Sequence, residues 1–303
     1  MRIKLADSLH ADVHYADARS ILSQTSGFIA AAGFTHSLTP ARNCTFGCSY
    51  CYVPTLGVFG GLKQDDWTHW GTRTTVKANA PDLLTRSLRP GQIIYCSPLV
   101  DPYQPAEAVV MMMPRLLEVL VRVPPRVFVV QTRGPLVTRD INLLVRLAER
   151  TTVRISFSLT TNREDVRRRY EPHCPPLSER LVAMSRLRAA GLDVFATLAP
   201  ILPCDPEPFA RLALEATDRD VIADPLHARG NRPHGAVTRQ AAVRISNRLG
   251  DEAWHEPVYQ SEILARVRAE VETSGRRFGV GVEGFQWLAA APEAIRLAFE
   301  GGK

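Results

Sequence analysis

The chain has 303 residues and is 45% apolar, enough to bury the core of one large α/β domain. Its six cysteines are too few for a disulfide-stapled scaffold of this length, and half of them fall within eight residues of one another, as ligands do. The formal charge of +6 favours an anionic partner, although the arginines are scattered rather than gathered in one run. No apolar run approaches the ~20 residues that cross a bilayer, and MRIKLADSLHADVH carries charges where a secretory leader needs an apolar stretch. The expectation is a cytoplasmic protein with no membrane partner.

In chain order, residues 1–33 hold short polar and alanine-rich pieces without a clear period and read as an N-terminal extension. From there, short runs rich in Val and Ile alternate with longer segments of helical period, the pattern of βα units around a parallel sheet. Strands are predicted at Phe34–Leu38, Gln92–Cys96, Arg126–Gln131, Val153–Leu159, Leu192–Leu198 and Asp220–Ala223. Helices are predicted at Met113–Val121, Arg139–Arg150 and Ser178–Ala190, where apolar residues recur three and four apart, and Gly191 supplies a C-terminal stop. Six such units predict a partial (β/α)6 TIM-type barrel over residues 34–230. Beyond a polar link near Gly230, helical stretches at Ala241–Leu249 and Ser261–Ser274 and the segment RFGVGVEGF read as a C-terminal helical cap over 231–303.

The strongest chemical signal is Cys44-Thr-Phe-Gly-Cys48-Ser-Tyr-Cys51, a CxxxCxxC just after the first predicted strand. Three thiolates on one short loop can hold three corners of a 4Fe-4S cubane and leave the fourth iron open to a ligand. Gly47 would let the loop backbone approach the cluster, and Tyr50 would lie against it. The alternative is a zinc site or a set of unrelated thiols. Closed structural zinc sites use four ligands, commonly in two paired units, and no second CxxC or HxxxH follows. Cys174 and Cys204 are isolated in the sequence and do not suggest a second cluster.

The triplet, with an aromatic residue before its third cysteine, resembles the signature of the radical S-adenosylmethionine (SAM) superfamily. The segments SLTPARNCTFGCSYCYVPT, CSPLVDPYQPAE, VVQTRGPLVTRDINLL, ISFSLTT, YEPHCPPLSERLVAMSRLRAAG and LAPILP resemble, in order, its spore photoproduct lyase-like branch. One departure is Ala41-Arg42-Asn43, where many relatives carry an aromatic residue and a glycine ahead of the first cysteine. The resemblance implies that SAM chelates the open iron, with reductive cleavage to methionine and a 5'-deoxyadenosyl radical. It also implies a flavodoxin- or ferredoxin-type reductant.

The resemblance places Arg133, in QTRGPL, where a guanidinium can grip the SAM carboxylate. Ser156, Ser158 and Thr160 alternate along ISFSLTT and so share a strand face, from which hydroxyls could reach SAM. Asp101 could bind the SAM amino group or cap the turn beside Pro102. Glu171 and His173 could line the substrate mouth or belong to a rigid proline-flanked connector. Cys96 ends the second predicted strand and is a candidate hydrogen donor to a substrate radical, against the alternative of a packed thiol. The expected function is hydrogen abstraction from a small-molecule or peptide substrate. Repair of a DNA photoproduct is the runner-up, and a non-catalytic metal- or Fe-S-binding sensor is the alternative of another class.

Overall fold

The computed structural model describes residues 1–4, 10–56, 64–227 and 240–291. Its strands are β1 (Arg2–Lys4), β2 (His10–Ala16), β3 (Leu22–Gln24), β4 (His36–Leu38), β5 (Ala41–Arg42), β6 (Arg73–Lys77), β7 (Ile93–Cys96), β8 (Val127–Thr132), β9 (Thr152–Ser158), β10 (Asp193–Leu198), β11 (Val221–Ala223) and β12 (Phe278–Val280). Eight of them form one sheet in the order β12-β11-β10-β9-β8-β7-β4-β3. All neighbours from β4 to β12 pair in parallel, and β3 adds an antiparallel edge. This is the expected partial TIM-type barrel.

Parallel strands packed on both faces must be apolar on both, which is why Val127–Val130 is wholly buried. Register separates the two faces. Cys96, Val130, Ile155 and Val194 stand in one row, and Gln131, Ser156 and Phe195 in the next. The first row joins the core formed with Leu116 and Leu117 of helix Met112–Arg122, Leu144 of helix Ile141–Ala148, Met184 of helix Leu177–Ala189 and Phe209 of helix Pro206–Ala216. The other face carries Tyr95, Val127, Val129, Phe195 and Ile222, which pack with Phe34 and with Phe285 of helix Val282–Ala289.

The six predicted strands are present with ends shifted by one or two residues, and the predicted helices near the C-terminus appear as Gln240–Leu249, starting one residue earlier, and Pro257–Thr273, starting four residues earlier. Two regions differ from expectation. RFGVGVEGF, read as cap, supplies β12, which pairs in parallel with β11 and gives a seventh parallel strand. Within residues 1–33, β1 and β2 join β6 and β5 in a second sheet of order β1-β2-β6-β5. In β2 only Ala11 and Val13 are buried, so its alternation was too sparse to mark a strand. The predicted boundary at 230–231 lies outside the described residues.

Helix Val282–Ala289 sits tight on the sheet: a Cβ on Gly284 would stand 2.8 Å from Gly279 O and 2.8 Å from Ile222 Cγ2. Gly to Ala in a helix ordinarily gains about 1 kcal/mol. Here the added methyl must push the helix off β12, so Gly284→Ala is expected to lower the midpoint of thermal unfolding. A raised midpoint would contradict this packing.

Candidate active site

The cysteine loop leaves β4 through β5, which pairs with β6 at Ala41 with Val76 and Arg42 with Thr75. Asn43 then takes a left-handed φ of 65°, a conformation Asn tolerates better than most residues. Its buried side chain donates to Asp66 O at 2.7 Å and accepts from Cys44 N at 2.9 Å. Thr45 donates through both N and Oγ1 to Gln104 Oε1 at 2.8 and 2.9 Å, tying the loop to the segment after β7. Gly47 has φ 61°, and a Cβ there would stand 3.0 Å from Gly71 Cα and 3.2 Å from His173 Nδ1. The glycine is therefore needed for both conformation and room. Cys44 and Cys48 are buried, Cys51 is half-buried, and none of the six cysteines is in a disulfide.

The segment after helix Glu164–Tyr170 clasps this loop. Ser49 N donates to Tyr170 O at 2.8 Å, His173 Nδ1 to Thr45 O at 3.1 Å, and the thiols of Cys48 and Cys174 lie 3.7 Å apart. Arg167 Nη1 fixes the turn by donating to Glu171 O at 3.1 Å and Cys174 O at 2.5 Å.

At the centre is Glu171, with no exposed surface. Its Oε1 accepts from Tyr50 OH, Arg133 Nη1 and Thr160 Oγ1, the last at 2.9 Å, and its Oε2 accepts from Arg180 Nη2. Burial alone would raise the carboxyl, but Arg180 and Arg133 outweigh it and hold the pKa down to about 2. Burial likewise opposes the Arg133 cation, yet Cys48, Tyr50 and Glu171 beside it push its pKa up. The guanidinium of Arg133 stands 5.6 Å from the Tyr50 ring centroid, within cation–π range. The Cys174 contact, acting against burial and helped by Arg133, lowers the Cys48 thiol, while burial raises that of Cys44.

The remaining sequence-predicted residues divide. Asp101 accepts from Tyr103 N at 2.9 Å, Thr132 Oγ1 at 2.7 Å and Arg133 N at 2.8 Å, so it caps its turn and fixes the Arg133 backbone. Ser156 meets Gln131 Oε1 at 2.5 Å and Thr197 Oγ1 at 2.6 Å on the inner face, and Ser158 Oγ lies 3.5 Å from Arg133 Nη2. Thr160 is spent on Glu171. Cys96 is fully buried in the row facing the helices, on the other side of the sheet from Ser156.

Sequence reasoning passed over Arg180, which lies on the predicted helix Ser178–Ala190 and is 1% exposed. It also passed over Asp224 and His227, which meet at 2.9 Å just past the C-terminal end of β11. A carboxylate and a histidine three residues apart after a predicted strand was the available signal.

Three thiols on one loop, clasped beside the half-buried Arg133 at one end of a parallel barrel, define the class, and the radical SAM superfamily model matches residues 38–213. The chain belongs to the radical SAM superfamily. The uncharacterized protein Rv2578c of Mycobacterium tuberculosis is 29% identical over 178 residues, covering 57% of this chain and 52% of that protein. The chain thus spans about half the length of that relative. The uncharacterized protein ORF301 of Acidianus two-tailed virus is 26% identical over 234 residues, 71% of this chain and 75% of that one. Among solved structures, a spore photoproduct lyase variant with bound AdoMet and dinucleoside spore photoproduct matches with a TM-score of 0.60 at 14% identity, over 89% of this chain and 81% of that one. The shared fold is what this likeness establishes.

Breaking one side of a buried ion pair costs about 3–5 kcal/mol, and Glu171→Gln is expected to destabilise the iron-free chain on that scale in urea unfolding at neutral pH. Because the folded carboxyl titrates below the unfolded one, its contribution is full above the ordinary value of about 4.3 and is lost as pH falls toward 2. The wild type should therefore lose its advantage over the variant across that acid range. An advantage that persists there would refute the charge assignment.

Proposed function

We propose that this chain holds a 4Fe-4S cluster on Cys44, Cys48 and Cys51, binds SAM at it, and abstracts hydrogen from a small-molecule or peptide substrate. The observation that carries this reading is the position of Arg133, which sits against the cysteine loop, over Tyr50 and beside Cys48. The donor set fits the group: three thiols outside any disulfide, on a loop whose backbone is fixed by Asn43, Gln104 and Tyr170. Once loaded, the cluster with SAM supplies reductive cleavage to methionine and a 5'-deoxyadenosyl radical.

The chain's own part is to place charge and exclude water. Arg133 and Arg180 share one carboxylate, Glu171. Two guanidiniums against one buried carboxylate leave a positive charge for the SAM carboxylate, which a guanidinium grips with parallel hydrogen bonds. Ser156 and Ser158 offer hydroxyls on the inner face, Tyr50 walls the cluster side, and Asp101 keeps the Arg133 backbone in place. Cys96 is assigned to the core rather than to hydrogen donation, because its row faces the helices. A flavodoxin- or ferredoxin-type protein supplies the electron, and the setting is the cytoplasm. Among the described residues, no helix is long and apolar enough to cross a membrane.

A small substrate is preferred over duplex DNA because several surface arginines are matched by acids: the half-buried Arg188 by Asp218, and the exposed Arg219 by Asp193, Arg266 by Glu207 and Arg277 by Asp220. Among the described residues, these pairs set part of the basic excess against acids instead of leaving it free for a phosphate-tracking stripe. The fold shared with a lyase that binds a dinucleoside photoproduct favours repair as the second reading. Turnover of that dinucleoside by this chain would install it.

Anaerobic reconstitution tests the proposal. The wild type is expected to take up four irons per chain and to form 5'-deoxyadenosine with dithionite, and Cys44→Ala, Cys48→Ala or Cys51→Ala to lose nearly all of it. Bound zinc without SAM cleavage would instead support a sensor. Arg133→Ala should keep its iron but bind SAM about 1.5–3 kcal/mol more weakly, with Lys rescuing in part. Unchanged affinity would return Arg133 to a structural role. With a substrate in hand, Cys96→Ala should leave product unaltered, and aberrant adducts would restore the donor role.

A further inference from the structure

Cys174 lies outside the triplet, yet its thiol stands 3.7 Å from that of Cys48, and both are buried. Their segments cannot drift apart easily. Ser49 N to Tyr170 O, His173 Nδ1 to Thr45 O, and the close approach of Gly47 to His173 pin loop to clasp, and Arg167 holds the Cys174 carbonyl. Such a separation suits two chemistries. Two sulfurs about 2.3 Å from a tetrahedral zinc would also lie close to this far apart. Glu171 completes the group with Cys48 and Cys174, but both its oxygens are already committed, to Tyr50, Arg133 and Thr160 on one side and Arg180 on the other. A metal here would have two thiolates and little else among the described residues.

We infer that Cys48 and Cys174 form a reversible disulfide when the chain loses its iron under oxidising conditions. The oxidant is a peroxide. The Cys48 thiolate attacks hydrogen peroxide, its sulfur gains hydroxyl, and hydroxide leaves. Cys174 then attacks that sulfur, the S–S bond forms, and a second hydroxide leaves. Two electrons pass from the two sulfurs to the peroxide, which ends with the two thiol protons as two waters. The sulfurs need to close from 3.7 Å to the bonded length of roughly 2.05 Å. The disulfide takes the sulfenic acid out of the route to sulfinic acid, which thiols cannot reverse. Cys174 thereby protects a cluster ligand and blocks rebuilding of the cluster until a reductant reopens the pair.

The experiment strips iron from the full chain anaerobically, adds an equimolar amount of hydrogen peroxide, alkylates the remaining thiols and identifies the peptides by mass spectrometry. A linked Cys48–Cys174 peptide is expected as the main oxidised product. Iron uptake should fail in this material and return with dithiothreitol. Cys174→Ala, or Cys174→Ser if the alanine variant folds poorly, should take up iron normally before oxidation. After peroxide it should accumulate Cys48 sulfinic acid and lose uptake irreversibly. Cys174 recovered alkylated while Cys48 is overoxidised or joined to Cys44 or Cys51 would overturn the inference. So would zinc bound at one equivalent by the wild type and lost in the variant. The linkage is read on the iron-free chain, so its failure is distinct from failure of the SAM reading.

Discussion

A buried carboxylate shared by two arginines is the interaction on which the rest of the site depends. Glu171 has no exposed surface and survives as an anion because Arg180 and Arg133 flank it and Tyr50 and Thr160 donate to it. Isolated, each of these charges would be costly to bury. Together they fix five side chains from five parts of the chain: the cysteine loop, the end of β8, the end of β9, the turn after helix Glu164–Tyr170 and the helix Leu177–Ala189. The guanidinium that would meet a ligand is therefore already placed before the ligand arrives, and less ordering remains to be done on binding.

The loop itself is shaped by neighbours rather than by its own sequence. Asn43 and Gly47 take left-handed backbone conformations, Gln104 receives both donors of Thr45, and Tyr170 receives the Ser49 amide. The β5–β6 pairing brings the chain to Cys44 from the second sheet. That sheet, built partly from residues 10–16, thus belongs to the support of the site.

Much of the barrel was legible because parallel strands buried on both faces tend to continuous apolar runs, and Val127–Val130 could hardly be anything else. The strand β12 was not legible, since three residues between glycine-rich turns carry no period. The cysteine triplet was legible from spacing, and Arg133 from its place in a resembling segment. Arg180 was invisible to hydropathy, because a charge on a helix reads as solvated surface unless its partner is known, and that partner lies nine positions earlier across a proline-rich turn. Cys174 was set aside as isolated for the same reason: its neighbour in space is 126 positions away. For Cys96, sequence could place the residue at a strand end, but only the register with Val130 and Ile155 shows which face its thiol takes.

The central claim is that Cys44, Cys48 and Cys51 would hold a cluster and Arg133 beside them would bind SAM there. Electron paramagnetic resonance of the reconstituted, dithionite-reduced wild type during a SAM titration tests it most directly. The account predicts a reduced-cluster signal whose shape changes on adding SAM and saturates, with the same change reached only at higher SAM in Arg133→Ala. A cluster signal that stays the same at every SAM concentration would contradict it.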